Sequence, residues 1–505
     1  MKKFVSLLIL SVFCYFSTFS LTGCSKNEID KVSKYLTSYA ISATLDDENK
    51  QISATETIVF YNNTNSELEY ICLHLYPRAF REGAIVKPYT TLTSATCFPN
   101  GITFGDIVIL KVRVNAETKD FELIGEDEDI LKINFGFKLT QKKSVQIEIE
   151  FNLIIPNCTH RFGWFENNIN LGNWYPVVCV FENGEFEMTP YYSTGDPFYS
   201  ELANFDVSFK YPKDYRIVST GTIEEEKNEN IIHANISAKA VRDFAMCLSK
   251  NAKQVSSQTG KVELVYMTDS NEVNSDKYVK ISSDAVSYFS KIFGEYPYKS
   301  MSVVKTPFIY GGMEYPNLVF ISNSIDDETE FLKVIVHEIA HQWWYGIVGN
   351  NEIKEAWLDE SLAEYSTALF FKNHPEYKIN YDDFVNEALS SYLLYVDVIQ
   401  TLKGEVNTKM NLCVNEYQND YEYSYMIYVK GVIMFDSLKN MVGEKSVVAG
   451  LKKYYSDNKF KIASTEAFLQ AFEQACHKDL KNYFDGFLNG TTIISSLWQF
   501  YFKID

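Results

Sequence analysis

The chain has 505 residues, 46% hydrophobic, 22% charged and 15% aromatic, so it can bury large cores and disorder is excluded as its main state. With Gly at 23 and Pro at 12, collagen-like and low-complexity readings also fail. The formal charge of −19, from 47 basic and 66 acidic residues, argues against nucleic acid as a partner, because phosphate binding needs a basic stripe.

At the N-terminus, Lys2 and Lys3 precede an apolar run from Phe4 to Ser20, followed at once by Leu21-Thr22-Gly23-Cys24. This pattern predicts a secretory signal with small residues at the cut. The L-T-G-C sequence resembles the lipobox of bacterial lipoproteins. That resemblance implies a signal peptide over 1–23, diacylation of Cys24 and a tether over 24–33. The body would then be anchored by lipid to the cell membrane, facing outside the cytoplasm. No other run approaches the roughly 18 apolar residues needed to span a bilayer. Seven cysteines lie beyond Cys24, and none forms a C-x-x-C pair, so a Cys-based zinc site is not expected. Buried free thiols are expected instead.

Residues 34–250 read as β. Thr55–Tyr61 and Val145–Phe151 alternate with period 2, and turn clusters such as Tyr61-Asn62-Asn63-Thr64-Asn65 separate the strands. An N-terminal antiparallel β-sandwich or saddle is predicted. After about residue 250 the period changes. Asp276–Phe293 reads as a helix and Ser302–Lys305 as a strand. From Glu328 to Tyr345 apolar residues recur at helical spacing, with Gly346 closing the run. A mainly helical domain over 251–445 and a helical segment over 446–505 packing on it are expected.

His337-Glu338-Ile339-Ala340-His341 is an H-E-x-x-H on that predicted helix. Positions 337 and 341 share one face, so two imidazoles can converge on one Zn²⁺. Glu338 suits a general base toward a metal-bound water. Glu360, nineteen residues beyond His341, can complete a His₂Glu site with one position open. Glu364, one turn further on, is a candidate to hold a ligand histidine from behind.

H-E-x-x-H with Glu at plus nineteen inside Trp357-Leu358-Asp359-Glu360 resembles the aminopeptidase N family of zinc metallopeptidases, which includes leukotriene hydrolase. Gly311-Gly312-Met313-Glu314 is similar to that family's G-x-M-E-N, and Tyr428-Val429-Lys430-Gly431 to its Y-x-K-G. The resemblance implies a thermolysin-like catalytic domain, one zinc held by His337, His341 and Glu360, and peptide substrates cut at the N-terminal bond. It makes Glu338 and Tyr428 catalytic, the latter toward the tetrahedral intermediate. It assigns Gly311, Gly312, Met313 and Glu314 to substrate binding, with Glu314 on the free α-ammonium. Three departures stand out. Tyr315 and Asp359 each replace an Asn, and no β-domain motif supplies a second contact to the amine. The chain also stops soon after Phe484–Leu488, where larger members continue into a helical roof, so a more open site is expected. Two other readings follow: a zinc oligopeptidase with weak need for a free N-terminus, and an inactive peptide-binding surface lipoprotein.

Overall fold

The structure, a computed structural model, describes residues 28–495. Cys24 lies outside them.

The N-terminal half is built on an eight-stranded sheet. Its strands run in the order Thr222–Lys227, Ile231–Val241, Ala203–Pro212, Thr37–Asp46, Gln51–Tyr61, Ser144–Ile154, Asp106–Val114, Glu117–Lys119. Alternation sets the inner face: Ile41, Ala43 and Leu45 point inward from one strand, and Ile147, Ile149 and Phe151 from another. Two four-stranded sheets complete this half, one centred on Met246–Lys250 and Asn168–Leu171, the other on Leu68–His74 and Ile130–Leu139. The antiparallel expectation needs one amendment. Thr37–Asp46 pairs with Ala203–Pro212 in parallel, starting at Thr37↔Ala203. The long chain segment between these two strands permits this; a hairpin would not.

The second half opens with a five-stranded sheet in the order Ala252–Thr259, Val262–Asp269, Ser300–Thr306, Leu318–Ser322, Gly312–Met313. Helix Ser275–Ile292 is the crossover between the parallel strands Val262–Asp269 and Ser300–Thr306. It packs on helix Glu328–Ala340, which packs on helix Trp357–Asn373, which in turn meets helix Lys430–Val442. An aromatic seam of Phe289, Phe293, Trp343, Trp344 and Phe370 locks these helices together. Truncating a ring buried in such a seam costs roughly 3–5 kcal/mol.

The helix predicted over Glu328–Tyr345 ends at Ala340. His341 keeps helical dihedrals as its cap, and the chain then folds into a tight turn through Trp343–Gly349. Tyr345 has φ of +124°, unusual for a non-glycine residue. Helical spacing continues past Ala340 because Trp343 and Trp344 still have to be buried, here by the turn. The final segment forms helices Thr465–Cys476 and Lys481–Leu488, which pack on helices Trp357–Asn373 and Lys430–Val442 through Phe468 and Phe484.

Candidate active site

Helix Glu328–Ala340 starts at Asp327, whose carboxylate accepts from Glu330 N at 2.8 Å. One helical turn separates His337 from His341, and both rings leave the same face. Helix Trp357–Asn373 crosses beneath and brings Glu360 to them. His337 Nε2 and His341 Nε2 lie 3.0 Å apart, and each is 3.1 Å from Glu360 Oε2. The opposite nitrogens are already engaged: His337 Nδ1 donates to Glu364 Oε2 at 2.7 Å and His341 Nδ1 to Trp344 O at 3.1 Å. Both Nε2 atoms are then lone-pair donors facing a carboxylate oxygen. Three electron-rich atoms at this spacing repel one another unless a cation sits between them. Tetrahedral ligands at about 2.05 Å from zinc would be about 3.3 Å apart, so the set fits a His₂Glu zinc site. These three residues are one of the groups whose ligand atoms gather closely enough to hold a metal ion.

The protons follow from the same crowding. Without a metal between the three atoms a proton takes the cation's place: although burial opposes it, Glu314 and Glu360 raise His341 to about 10. Glu360 is held low by His341 and His337 against the pull of burial. Glu338 is buried and its carboxyl is pushed up to about 7 by burial, partly offset by the two imidazoles. Its Oε2 has no hydrogen-bond partner among the described residues. Such a carboxyl is poised to exchange a proton near neutral pH.

These groups line a cleft of about 470 Å³. Gly311 and Gly312 form part of its wall, and strand Gly312–Met313 is the free edge of the five-stranded sheet. A Cβ on Gly312 would run into the Glu338 carboxylate, which explains a glycine there. Tyr428 lies in a π-helical turn, Tyr425–Val429, and its hydroxyl donates to Glu360 Oε1. The Gly431 beside it has its own reason: a Cβ there would meet Ser361, next to Glu360. Lys430 Nζ donates to Phe487 O at 2.7 Å, tying this turn to the last helix.

Glu314 is 3% exposed and its Oε1 has no hydrogen-bond partner among the described residues. Burial, then Asp196, raises its carboxyl well above the usual range. Asp196 was not singled out from the sequence, which showed no second contact for an amine. Its only signal is the position of Gly195-Asp196 at the head of a stretch, Gly195–Gly221, that resembles the family's β-domain. Asp196, Glu314 and Glu360 each present an oxygen within 4.8 Å of the others. Arg161 holds Asp196 through an ion pair and lies 4.9 Å from the Tyr310 ring centre.

One expectation changes here. Met313 is 1% exposed and does not line the cleft; its sulfur accepts from Arg161 Nε at 3.1 Å. Strand alternation turns Met313 inward where its neighbours Gly312 and Glu314 reach the cleft. Tyr315 also faces away, its hydroxyl donating to Asn173 Oδ1 at 3.0 Å, so replacing an Asn there leaves the cleft wall unaltered. Asp359 is buried and accepts from Asn350 Nδ2 at 2.9 Å.

Residues 279–487 match the Peptidase family M1 domain. The chain is 25% identical over 304 residues to the mitochondrial aminopeptidase 2 of Saccharomyces cerevisiae, covering 57% of this chain and 30% of that protein. It is 23% identical over 380 residues to leukotriene A-4 hydrolase of Xenopus laevis, covering 72% of this chain and 60% of that one. The chain therefore spans less than two thirds of the length of either relative. The M1 zinc metallopeptidase of Deinococcus radiodurans has the same fold, with a TM-score of 0.62 at 13% identity, over 91% of this chain and 96% of that one. The His337, His341 and Glu360 cluster, the edge strand with Glu314 and the turn with Tyr428 all fall within the segment that matches the Peptidase family M1 domain.

Proposed function

We propose that the protein is a zinc-dependent aminopeptidase that hydrolyses the N-terminal bond of peptides. One observation carries this reading: two buried carboxylates, Glu314 and Asp196, stand beside the metal triad, with a free oxygen of Glu314 turned to no protein partner. An α-ammonium is the substrate group that suits such a place, and its capture puts the first peptide bond next to His337, His341 and Glu360. The yeast relative points the same way by name, and a mutant of the Deinococcus enzyme was solved with a Tyr-Ser-Ala substrate.

In this reading zinc, when bound, supplies Lewis acidity and acidifies water. The protein's own residues do the rest. The edge strand Gly312–Met313 offers unpaired backbone groups to an extended substrate. Glu338 takes the proton of the attacking water and passes it to the leaving amine. The Tyr428 hydroxyl donates to the developing oxyanion, a contact of the kind worth some 2.7–4 kcal/mol. Glu364 and the Trp344 carbonyl hold the two imidazoles in one tautomer and one orientation.

The test compares kcat/KM for a peptide and its N-acetyl form in wild type, Glu314→Gln and Asp196→Asn. Wild type is expected to cut the free peptide far faster, and each substitution to narrow that gap. Equal cleavage of both forms, or preference for internal bonds, would establish the oligopeptidase reading instead. Zinc binding without hydrolysis of any peptide would leave a binding protein.

We also propose that the chain is exported and held at the outer face of the membrane by lipid on Cys24. The support is the sequence Leu21-Thr22-Gly23-Cys24 behind a basic and apolar leader. Among the described residues no helix is long and apolar enough to cross a membrane.

A further inference from the structure

Arg242 follows the last long strand of the N-terminal half, Ile231–Val241, and is 3% exposed. A buried guanidinium ordinarily faces a carboxylate. Among the described residues Arg242 has no ion pair within 4.0 Å, and its bonds run to backbone carbonyls. Nε donates to Tyr345 O at 2.9 Å, one terminal nitrogen to Ser200 O at 3.3 Å and the other to Lys461 O at 2.5 Å. One side chain thus joins the β half, the turn after the H-E-x-x-H helix and the C-terminal segment. Room for it is reserved: a Cβ on Gly349 would run into the guanidinium.

The turn it grips belongs to the metal site. His341 Nδ1 donates to Trp344 O, the carbonyl immediately before Tyr345. Tyr345 itself holds φ of +124°, a conformation that is strained for a non-glycine residue and persists only where its surroundings enforce it. The enforcing contacts are visible. Tyr345 N donates to Val348 O at 2.8 Å, Gly346 N to His341 O at 2.9 Å, and Arg242 pulls on Tyr345 O. Strand Val348–Gly349 is clamped in parallel to Lys461–Ile462, whose first carbonyl Arg242 also holds.

We infer that Arg242 is a positioning residue for the metal ligand His341: by fixing the Tyr345 carbonyl it sets the strained turn whose Trp344 carbonyl orients the His341 ring. The inference rests on the zinc site proposed above and not on the identity of the substrate. It makes the N-terminal β half part of the metal site, although none of the three ligands lies in it. Without Arg242 the Tyr345–Gly346 peptide relaxes, the neighbouring Trp344 carbonyl moves with it, the His341 ring gains freedom, and the metal is held less tightly.

The experiment measures metal binding, so it does not depend on peptidase activity. Zinc affinity is determined by chelator competition, and ligand geometry by the visible absorption of the Co²⁺-substituted protein. The proteins are wild type, Arg242→Ala, Arg242→Lys and Tyr298→Phe. Tyr298→Phe removes a nearby contact between the two halves, Tyr298 OH to Ala240 O at 2.6 Å, without touching Tyr345. Arg242→Ala is expected to weaken zinc binding by roughly 10–100-fold, as loss of a support behind a ligand does, and to alter the Co²⁺ bands. Millimolar guanidinium ion should restore both. Arg242→Lys should fall between, since an ammonium cannot hold three carbonyls in one plane. Tyr298→Phe should lower stability and leave zinc affinity unchanged. The inference is overturned if folded Arg242→Ala binds zinc as wild type does, or if Tyr298→Phe loosens zinc equally. Should Arg242→Ala not fold, unchanged zinc affinity in Arg242→Lys overturns it as well. Wild type that binds zinc tightly but cuts no peptide would refute the proposed activity and leave this inference standing.

Discussion

Glu338 has the simplest test of any residue in the cleft, because its proposed role is to move one proton without ligating the metal. Glu338→Gln keeps the volume and a hydrogen bond but cannot accept that proton. The mutant should hold one zinc per chain, measured by elemental analysis, while kcat falls by about 10²–10⁴. Loss of metal together with activity would instead place Glu338 among the ligands. Tyr428→Phe should also spare the metal and lower kcat more than it changes KM, because its donation strengthens only as charge develops on oxygen. Its hydroxyl already contacts Glu360, so a wild-type kcat in this mutant would show that the contact serves packing alone.

At the scale of elements, two strands yield predictions of opposite kinds. The edge strand Gly312–Met313 lies so close to the H-E-x-x-H helix that Gly312→Ala should push the Glu338 carboxylate aside. Activity should drop at least tenfold with the melting temperature nearly unchanged, as read from kinetics and thermal unfolding on one preparation. Strand Gln51–Tyr61 carries a destabilising group far from the cleft. Glu56 is 0% exposed, and neither carboxylate oxygen has a hydrogen-bond partner among the described residues. Burial raises its carboxyl well above the ordinary value of 4.5. The folded state therefore holds this proton more tightly than the unfolded state does. Between the unfolded and folded pKa values the unfolded chain binds fewer protons, so stability falls as pH rises through that window. Glu56→Leu should remove this dependence. It should stabilise the protein by about 1–3 kcal/mol more at pH 8 than at pH 4, measured by urea unfolding at the two values. An equal effect at both would show that Glu56 takes up its proton alike in the folded and unfolded chain.

For the whole molecule, the expectation concerns where it resides. Two acyl chains hold a protein stably on a membrane, whereas one does so only marginally. Wild type expressed in a bacterium with the lipoprotein pathway should partition with membranes and take up labelled fatty acid. Cys24→Ala should be soluble or unprocessed. Fatty-acid labelling that survives the substitution would end the lipid-anchor proposal.

The sequence by itself determined which residues gather in the His337, His341 and Glu360 cluster and the order of architectures. These signals are local: two histidines four apart meet because of helical pitch, and period-2 runs such as Thr55–Tyr61 announce strands wherever they end up packed. Glu360 was legible through its place nineteen residues beyond His341 inside Trp357-Leu358-Asp359-Glu360, although the chain between them forms a turn, the short strand Val348–Gly349 and the short helix Glu352–Glu355. What only the tertiary structure decided is long-range. Asp196 reaches the cleft from the N-terminal half because Arg161 braces it there, and no spacing rule links it to Glu314. Met313 turns away from the cleft because a strand alternates its faces, a fact that its motif does not encode. The turn at Trp344–Tyr345 looked helical because its tryptophans recur at helical spacing, yet their burial is achieved by a strained bend that Arg242 grips from the other half of the chain. A motif records which groups meet the metal; the side chains that aim them come from wherever the packed fold brings a donor within reach of a carbonyl, and that is set by the closure of the whole core.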